Sequence, residues 1–344
     1  MTGIPAVLIL LVCVIIFIYL CYQGFPPTVM APIMAMVVLL TAGMDVYDGM
    51  TGAYMTGATN FIKNYFLMFL TGAVFANLMA ASGAARSIGL ALAKLAKKFP
   101  GHETYAALWC CVLVGVVITY GGVMIFVAFF TIIAIVKEMY EELNVPWKMC
   151  TVGAFGTAAL SMTMIPGSPS ANNAVAAGWL GTNAMSGPVL GLFAVVLSIL
   201  FGHVYFTIQV RKIKASGEGF LPTGKGISEV QFENPEPMNL LAALLPSIVL
   251  LVVLNVLDMG VTIACFVGIV VALVDFGLVQ KRFRLKEAIA LMGTGTSQAI
   301  NSGFVTAMVI GFGSCVAATA GYAWIIEKLF NLPGPAEYQI VIAV

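Results

Sequence analysis

The sequence predicts an all-α polytopic membrane protein arranged as an inverted repeat whose second half is incomplete. Three observations predict it. Of its 344 residues, 61% are hydrophobic and only 9% are charged, whereas a soluble domain carries roughly 25% charged residues. Several apolar runs approach the roughly 20 residues that a helix needs to cross a bilayer. The same order of segments (two apolar runs, a polar glycine-rich lead-in, a third apolar run) occurs at 4–82 and again at 240–320.

These bounds also exclude. The mean hydropathy is +1.02, and the span-length apolar runs exclude a soluble helical core. The net charge is +1 and no basic tract suggests a nucleic-acid partner, so none is expected. The seven cysteines have neither CxxC nor metal-ligand spacing, and Cys110-Cys111 is an adjacent pair. They are expected to pack as small apolar side chains, and no metal or other cofactor is called for.

Taken in order, Ile4–Tyr22 reads as a first span. It lacks a basic n-region and an Ala-x-Ala-like cleavage site, so it is a retained span and not a signal peptide. Pro26-Pro27 ends the connection to a second span at 28–42. A polar stretch follows (Asp45, Asp48, Thr51, Thr56, Thr59, Asn60), leading to a third span at 65–81. Residues 83–99 repeat Ile88, Leu92, Leu95 and Phe99 on one helical face, with Arg86, Lys94, Lys97 and Lys98 available to headgroups. That is an interfacial amphipathic helix. The apolar run 104–136 measures about 50 Å as one helix, too long for a hydrocarbon core of about 30 Å. Its middle reads Tyr120-Gly121-Gly122, which suits a re-entrant hairpin with the glycines at the tip. Residues 149–180 form a broken helix, and 188–210 form the next span.

The first repeat is thus 1–211, the polar segment 212–239 is a cytoplasmic linker, and 240–344 is a partial second repeat with spans at 240–257 and 260–279. Lysine and arginine cluster at 86–98, 211–214 and 281–286, which places those regions in the cytoplasm. A hairpin at 104–136 satisfies this charge pattern. A continuous span there followed by a re-entrant 149–180 satisfies it equally well.

Within the repeats, the segment Gly72–Gly83 faces Gly311–Gly321 at a nearly constant offset. The first unit begins outside and the second inside, so the repeats have inverted topology, a plan common in transporters. The second repeat should also contain a hairpin and a broken helix, but the chain stops where that hairpin would begin. The expectation is a C-terminally truncated chain.

The stretch Met162–Ser186 carries the chemistry. Pro166, Gly167 and Pro169 cannot sit in an uninterrupted helix, and Ser168, Ser170, Asn172 and Asn173 crowd the same break. In lipid, broken backbone is tolerated only where protein buries it or water reaches it. A half-helix starting near Ser170 offers free N–H groups and a positive dipole end to a carboxylate. Ser170 can cap it, leaving Ser168, Asn172 and Asn173 as donors. Carbonyls freed before the break, with Thr163, suit a coupling cation. The bland alternative is a kinked helix whose polar groups satisfy one another. For Tyr120, Gly121 and Gly122 the alternative is plain helix packing.

Several stretches resemble the gluconate:proton symporter (gluconate permease) family of the ion transporter superfamily. They are Leu78–Ile88, Thr119–Val123, Thr163–Pro169, Gly181-Thr182 with Gly187–Leu192, and Gly217-Glu218-Gly219-Phe220. The resemblance covers the whole chain in family order. It implies a homodimeric permease of the cytoplasmic (inner) membrane. Such a protein moves a small organic anion such as gluconate, or a related short hydroxycarboxylate, with H⁺ or Na⁺. After the break the family shows a Thr-Pro-Gln type of sequence, where this chain has Ser168–Asn173. That departure leaves the substrate open.

Charged groups within spans are the default functional candidates. Asp275, beside Lys281 and Arg282, reads as a snorkelling structural carboxylate. His203 reads as a histidine satisfied by a helix partner. Two competing classes stand beside the transporter. One is a channel, which lacks charge rings or a carbonyl filter here. The other is an intramembrane serine hydrolase using Ser168 and His203, which lacks any GxSxG or HExxH signature.

Overall fold

The computed structural model describes residues 3–120, 125–151, 164–166, 182, 185–220, 236–255, 257, 259 and 261–330. Every regular element among the described residues is helical. Five helices there are long and apolar enough to cross a membrane: Ile4–Tyr22, Val46–Ala81, Pro188–Ser216, Thr262–Val279 and Leu285–Ala317. Shorter apolar helices occupy Pro27–Ala42 and Leu240–Val253.

By contact the chain divides into two compact units, Met1–Phe66 with Ala299–Val344, and Leu67–Gln298. This differs from a division by repeat, because each unit takes segments from both halves of the sequence. The first unit closes around Cys13, Phe17, Met34, Ala35, Val38, Leu39, Tyr54, Phe312 and Cys315. Phe17 and Phe312 meet with ring centroids 4.8 Å apart. The second unit buries Phe69, Leu78, Met79, Leu108, Ile132, Met139, Tyr140, Phe206 and Phe276 completely.

The polar lead-in after the second span is itself helical. Asp45 caps it by accepting the Asp48 N–H at 2.8 Å. After a short π-helical turn at Met50–Tyr54 the helix runs on through Met55–Ala81. Thr51 and Thr59 donate to the carbonyls of Tyr47 and Met55 in the preceding turn. The polar side chains therefore satisfy themselves without breaking the helix. Gly83 (φ 86°) ends the run, a left-handed conformation that glycine adopts without penalty.

Helix Ala84–Ala96 packs inside the second unit along its small residues. Ala84, Ala85, Ile88, Gly89, Ala93 and Ala96 are buried, whereas Leu95 and Phe99 of the expected apolar face are exposed. A Cβ on Gly89 would stand 2.6 Å from the Ile135 carbonyl and 2.8 Å from Glu138 Cβ, so the two helices touch backbone to backbone. Arg86, expected among headgroups, instead faces Glu138, with Nε 3.6 Å from Oε2. Burial pushes the Glu138 carboxyl above its usual range, and Arg86 opposes that shift less strongly. A carboxyl raised in the folded state stabilises the fold below its unfolded value, near 4.5, and loses that contribution as pH rises through the folded value. Thermal stability is therefore expected to fall with rising pH across that window, with a shallower fall in Glu138→Gln. Parallel melting curves for the two proteins from pH 4 to 7 would remove Glu138 as the cause.

The run 104–136 forms two helices, Glu103–Tyr120 and Ile125–Glu142. Tyr140 of the second lies beside Cys110 and Cys111 of the first. Collinear helices would hold these residues more than about 40 Å apart, so the pair folds back on itself. Cys111 also donates to the Cys150 carbonyl at 4.0 Å, which ties the pair to the helical turn Met149–Thr151.

Both described ends of the segment 212–239 are anchored within the second unit. Phe220 donates its N–H to Asn144 Oδ1 at 2.8 Å. At the far end, Met238 donates its N–H to Ser87 Oγ at 2.7 Å and accepts the hydroxyl in return at 3.0 Å. Arg282 reaches the carbonyls of Glu236 and Pro237.

The two long helices meet through glycines at related places. In the first unit, a Cβ on Gly57 would overlap Ser314 and stand 3.4 Å from the Ile310 carbonyl. In the second unit, a Cβ on Gly295 would stand 2.8 Å from Val74 Cα and 3.0 Å from the Ala73 carbonyl. The correspondence that pairs Gly83 with Gly321 also pairs Gly57 with Gly295. Gly57 thus abuts residues beside Gly311, and Gly295 abuts residues beside Gly72.

Candidate functional site

Of the residues singled out for binding, Thr163, Gly167, Ser168, Ser170, Asn172, Asn173, Gly121 and Gly122 lie outside the described residues. Tyr120 is the last residue of helix Glu103–Tyr120. Of the expected break at 166–169 the structure describes Pro166, together with Met164 and Ile165 before it, all half-buried, and the elements around them.

Helix Pro188–Ser216 abuts the break. Pro188 occupies its first turn, where a missing N–H costs nothing. One turn on, Gly191 leaves room for the chain opposite: a Cβ there would stand 2.5 Å from the Met164 carbonyl and 3.3 Å from the Pro166 ring. The break and this helix are therefore in backbone contact. The other end of the helix meets the base of the fold-back pair. His203 shares a short hydrogen bond with the Tyr105 hydroxyl, and Trp109 meets Phe206 edge-on at 5.4 Å. Lys214 donates to the Gly101 carbonyl at 2.6 Å. His203 is thus held by a tyrosine partner, as a satisfied histidine would be.

Asp275 departs from its expected snorkelling role. It is only 7% exposed, sits in the π-helical turn Leu273–Val279, and its Oδ2 has no hydrogen-bond partner. Arg282, which sequence proximity suggested as its companion, is engaged by the carbonyls of Glu236 and Pro237. Asp275 shares its turn with the fully buried Phe276, and a position near the end of a span does not by itself bring a side chain to the surface.

One polar pair escaped the sequence reading. Asn77 donates through Nδ2 to both Gln298 Oε1 at 2.7 Å and the Ala73 carbonyl at 2.9 Å. Both donors are used, so the amide orientation is fixed. A lone asparagine inside the apolar run Ala73–Ala81 was the available signal, since amides in such runs tie helices together.

The described residues define a helical protein with several helices long and apolar enough to cross a membrane. No family model matches the chain. Over 218 residues it is 33% identical to the uncharacterized transporter YxjC of Bacillus subtilis (strain 168), an alignment covering 62% of this chain and 44% of that protein. The chain therefore spans less than half the length of this relative.

Proposed function

We propose that the protein acts in secondary active transport of a small organic anion, with gluconate or a related short hydroxycarboxylate as substrate and H⁺ or Na⁺ as coupling ion. The break at 166–169 is the anion site. The fold-back pair 103–142 is the re-entrant hairpin beside it, with Tyr120, Gly121 and Gly122 at its tip. The observation that carries the reading is the backbone contact between Gly191 and Met164. A helix start packed against the residues that lead into the break supports a site at this junction. The reciprocal packing of Gly57 and Gly295 supports an inverted repeat, and the printed name of the Bacillus relative supports transport. A homodimer in the cytoplasmic membrane completes the proposal.

Labelled gluconate and shorter hydroxy acids, offered to proteoliposomes under imposed proton or sodium gradients, test it. Saturable uptake driven by one gradient is expected, with Ser168→Ala and Asn173→Ala each weakening it about tenfold or more, as lost hydrogen bonds to a charged group do. Non-saturating downhill flux would indicate a channel. Ester or peptide hydrolysis abolished by Ser168→Ala would indicate a hydrolase.

A further inference from the structure

The tetrapeptide Gly217–Phe220 is used residue by residue. Gly217 (φ 66°) closes helix Pro188–Ser216 through its N–H to the Ile213 carbonyl at 3.0 Å. Glu218 pairs with Lys148. Gly219 lies against the Asn144 amide, where a Cβ would stand 2.5 Å from Oδ1. Phe220 donates its N–H to that same oxygen, and its ring meets Trp147 edge-on at 6.1 Å. Trp147 in turn packs edge-on against the fully buried Tyr140. Asn144 is itself left-handed (φ 53°), a conformation asparagine tolerates better than most residues.

The partners of Glu218, Gly219 and Phe220 all lie in the short loop 144–148, between the fold-back pair and the helical turn Met149–Thr151. The tetrapeptide ends the helix whose other end touches Met164 and Pro166. One helix of about 40 Å thus bears on the break at its start and is bolted at its finish. We propose that the contact between Asn144–Lys148 and Gly217–Phe220 is a bolt that positions the helix start against the break, with Asn144 and Gly219 as positioning residues. A rigid helix carries the restraint because its first turn cannot shift along its axis while its last turn is held. The exposed Lys148–Glu218 pair contributes little to this. The hydrogen bond, the glycine contact and the Trp147–Phe220 packing carry it. The consequence for binding rests on the proposed anion site, but the mechanical claim stands without it.

Hydrogen-exchange mass spectrometry on the purified full chain tests the bolt without ligand. In Asn144→Ala and in Gly219→Ala, peptides covering 188–195 are expected to exchange about 5- to 30-fold faster, the factor that a loss of one or two kcal/mol produces. Asn144→Asp, which keeps the acceptor oxygen, should exchange at the original rate, and peptides from 240–255 should not change in any variant. Faster exchange confined to 144–148 and 217–220 would reduce the bolt to a local contact and overturn the proposal. A uniform rise throughout the chain would overturn it too, by showing general loosening. If Gly219→Ala does not fold, Asn144→Ala decides alone.

Discussion

Gly295→Val is expected to cost at least about 3 kcal/mol of stability, toward or beyond the upper end of what overpacking a core brings. The Cβ of any larger residue would stand 2.8 Å from Val74 Cα and 2.9 Å from Val74 N. These are backbone atoms of a packed helix and cannot rotate aside. The second unit would have to separate the two helices and lose the 2.7 Å bond between Asn77 and Gln298. Gly293, two residues earlier in the same helix, has nothing within 4 Å of its own Cβ position and supplies the control. Gly293→Val should cost no more than a modest helix-propensity change. Thermal unfolding in detergent, read with size-exclusion profiles, separates the two. Equal melting temperatures for Gly293→Val and Gly295→Val would mean that the glycine contact does not hold the helices together.

Gly191→Ala is expected to act on the break itself. Its Cβ would meet the Met164 carbonyl at 2.5 Å, so either the helix start or the break must move by several tenths of an ångström. The stability cost should be about 1–3 kcal/mol. If the break is the anion site, the displacement also misaligns the donors, and ligand-dependent stabilisation should fall about tenfold or more, since small displacements degrade positioning steeply. Melting curves with and without added hydroxy acid check both parts. Retained ligand stabilisation in a destabilised Gly191→Ala protein would place the anion elsewhere.

How much of this was legible beforehand differs by element. The first span is found at Ile4–Tyr22 and the second at Pro27–Ala42, because unbroken apolar runs bounded by proline and glycine specify their own ends. The lead-in 45–60 was legible as polar and glycine-containing but not as helix. Its threonines bond back to the preceding turn, a choice that composition does not reveal. Helix Ala84–Ala96 shows the opposite failure. Of its expected apolar face Ile88 is buried but Leu95 and Phe99 are exposed, because the close contact of Gly89 with Ile135 and Glu138 turns the small residues inward. The neighbouring charges of Asp275 and the amphipathic pattern around Arg86 point to surfaces, yet Asp275 is buried and Arg86 faces Glu138.

The sequence by itself determined the helices of the described residues, several of them able to cross a membrane, and it marked the proline-rich stretch 166–169 that the functional proposal rests on. Period, length and proline are local properties, and a bilayer's demand for satisfied backbone makes them decisive. The tertiary structure alone decided which glycines are contacts, since Gly191 abuts Met164, Gly295 abuts Val74, and Gly293 abuts nothing. It alone tied Gly217–Phe220 to Asn144–Lys148. Such contacts depend on the approach of segments far apart in the chain, which no single stretch encodes.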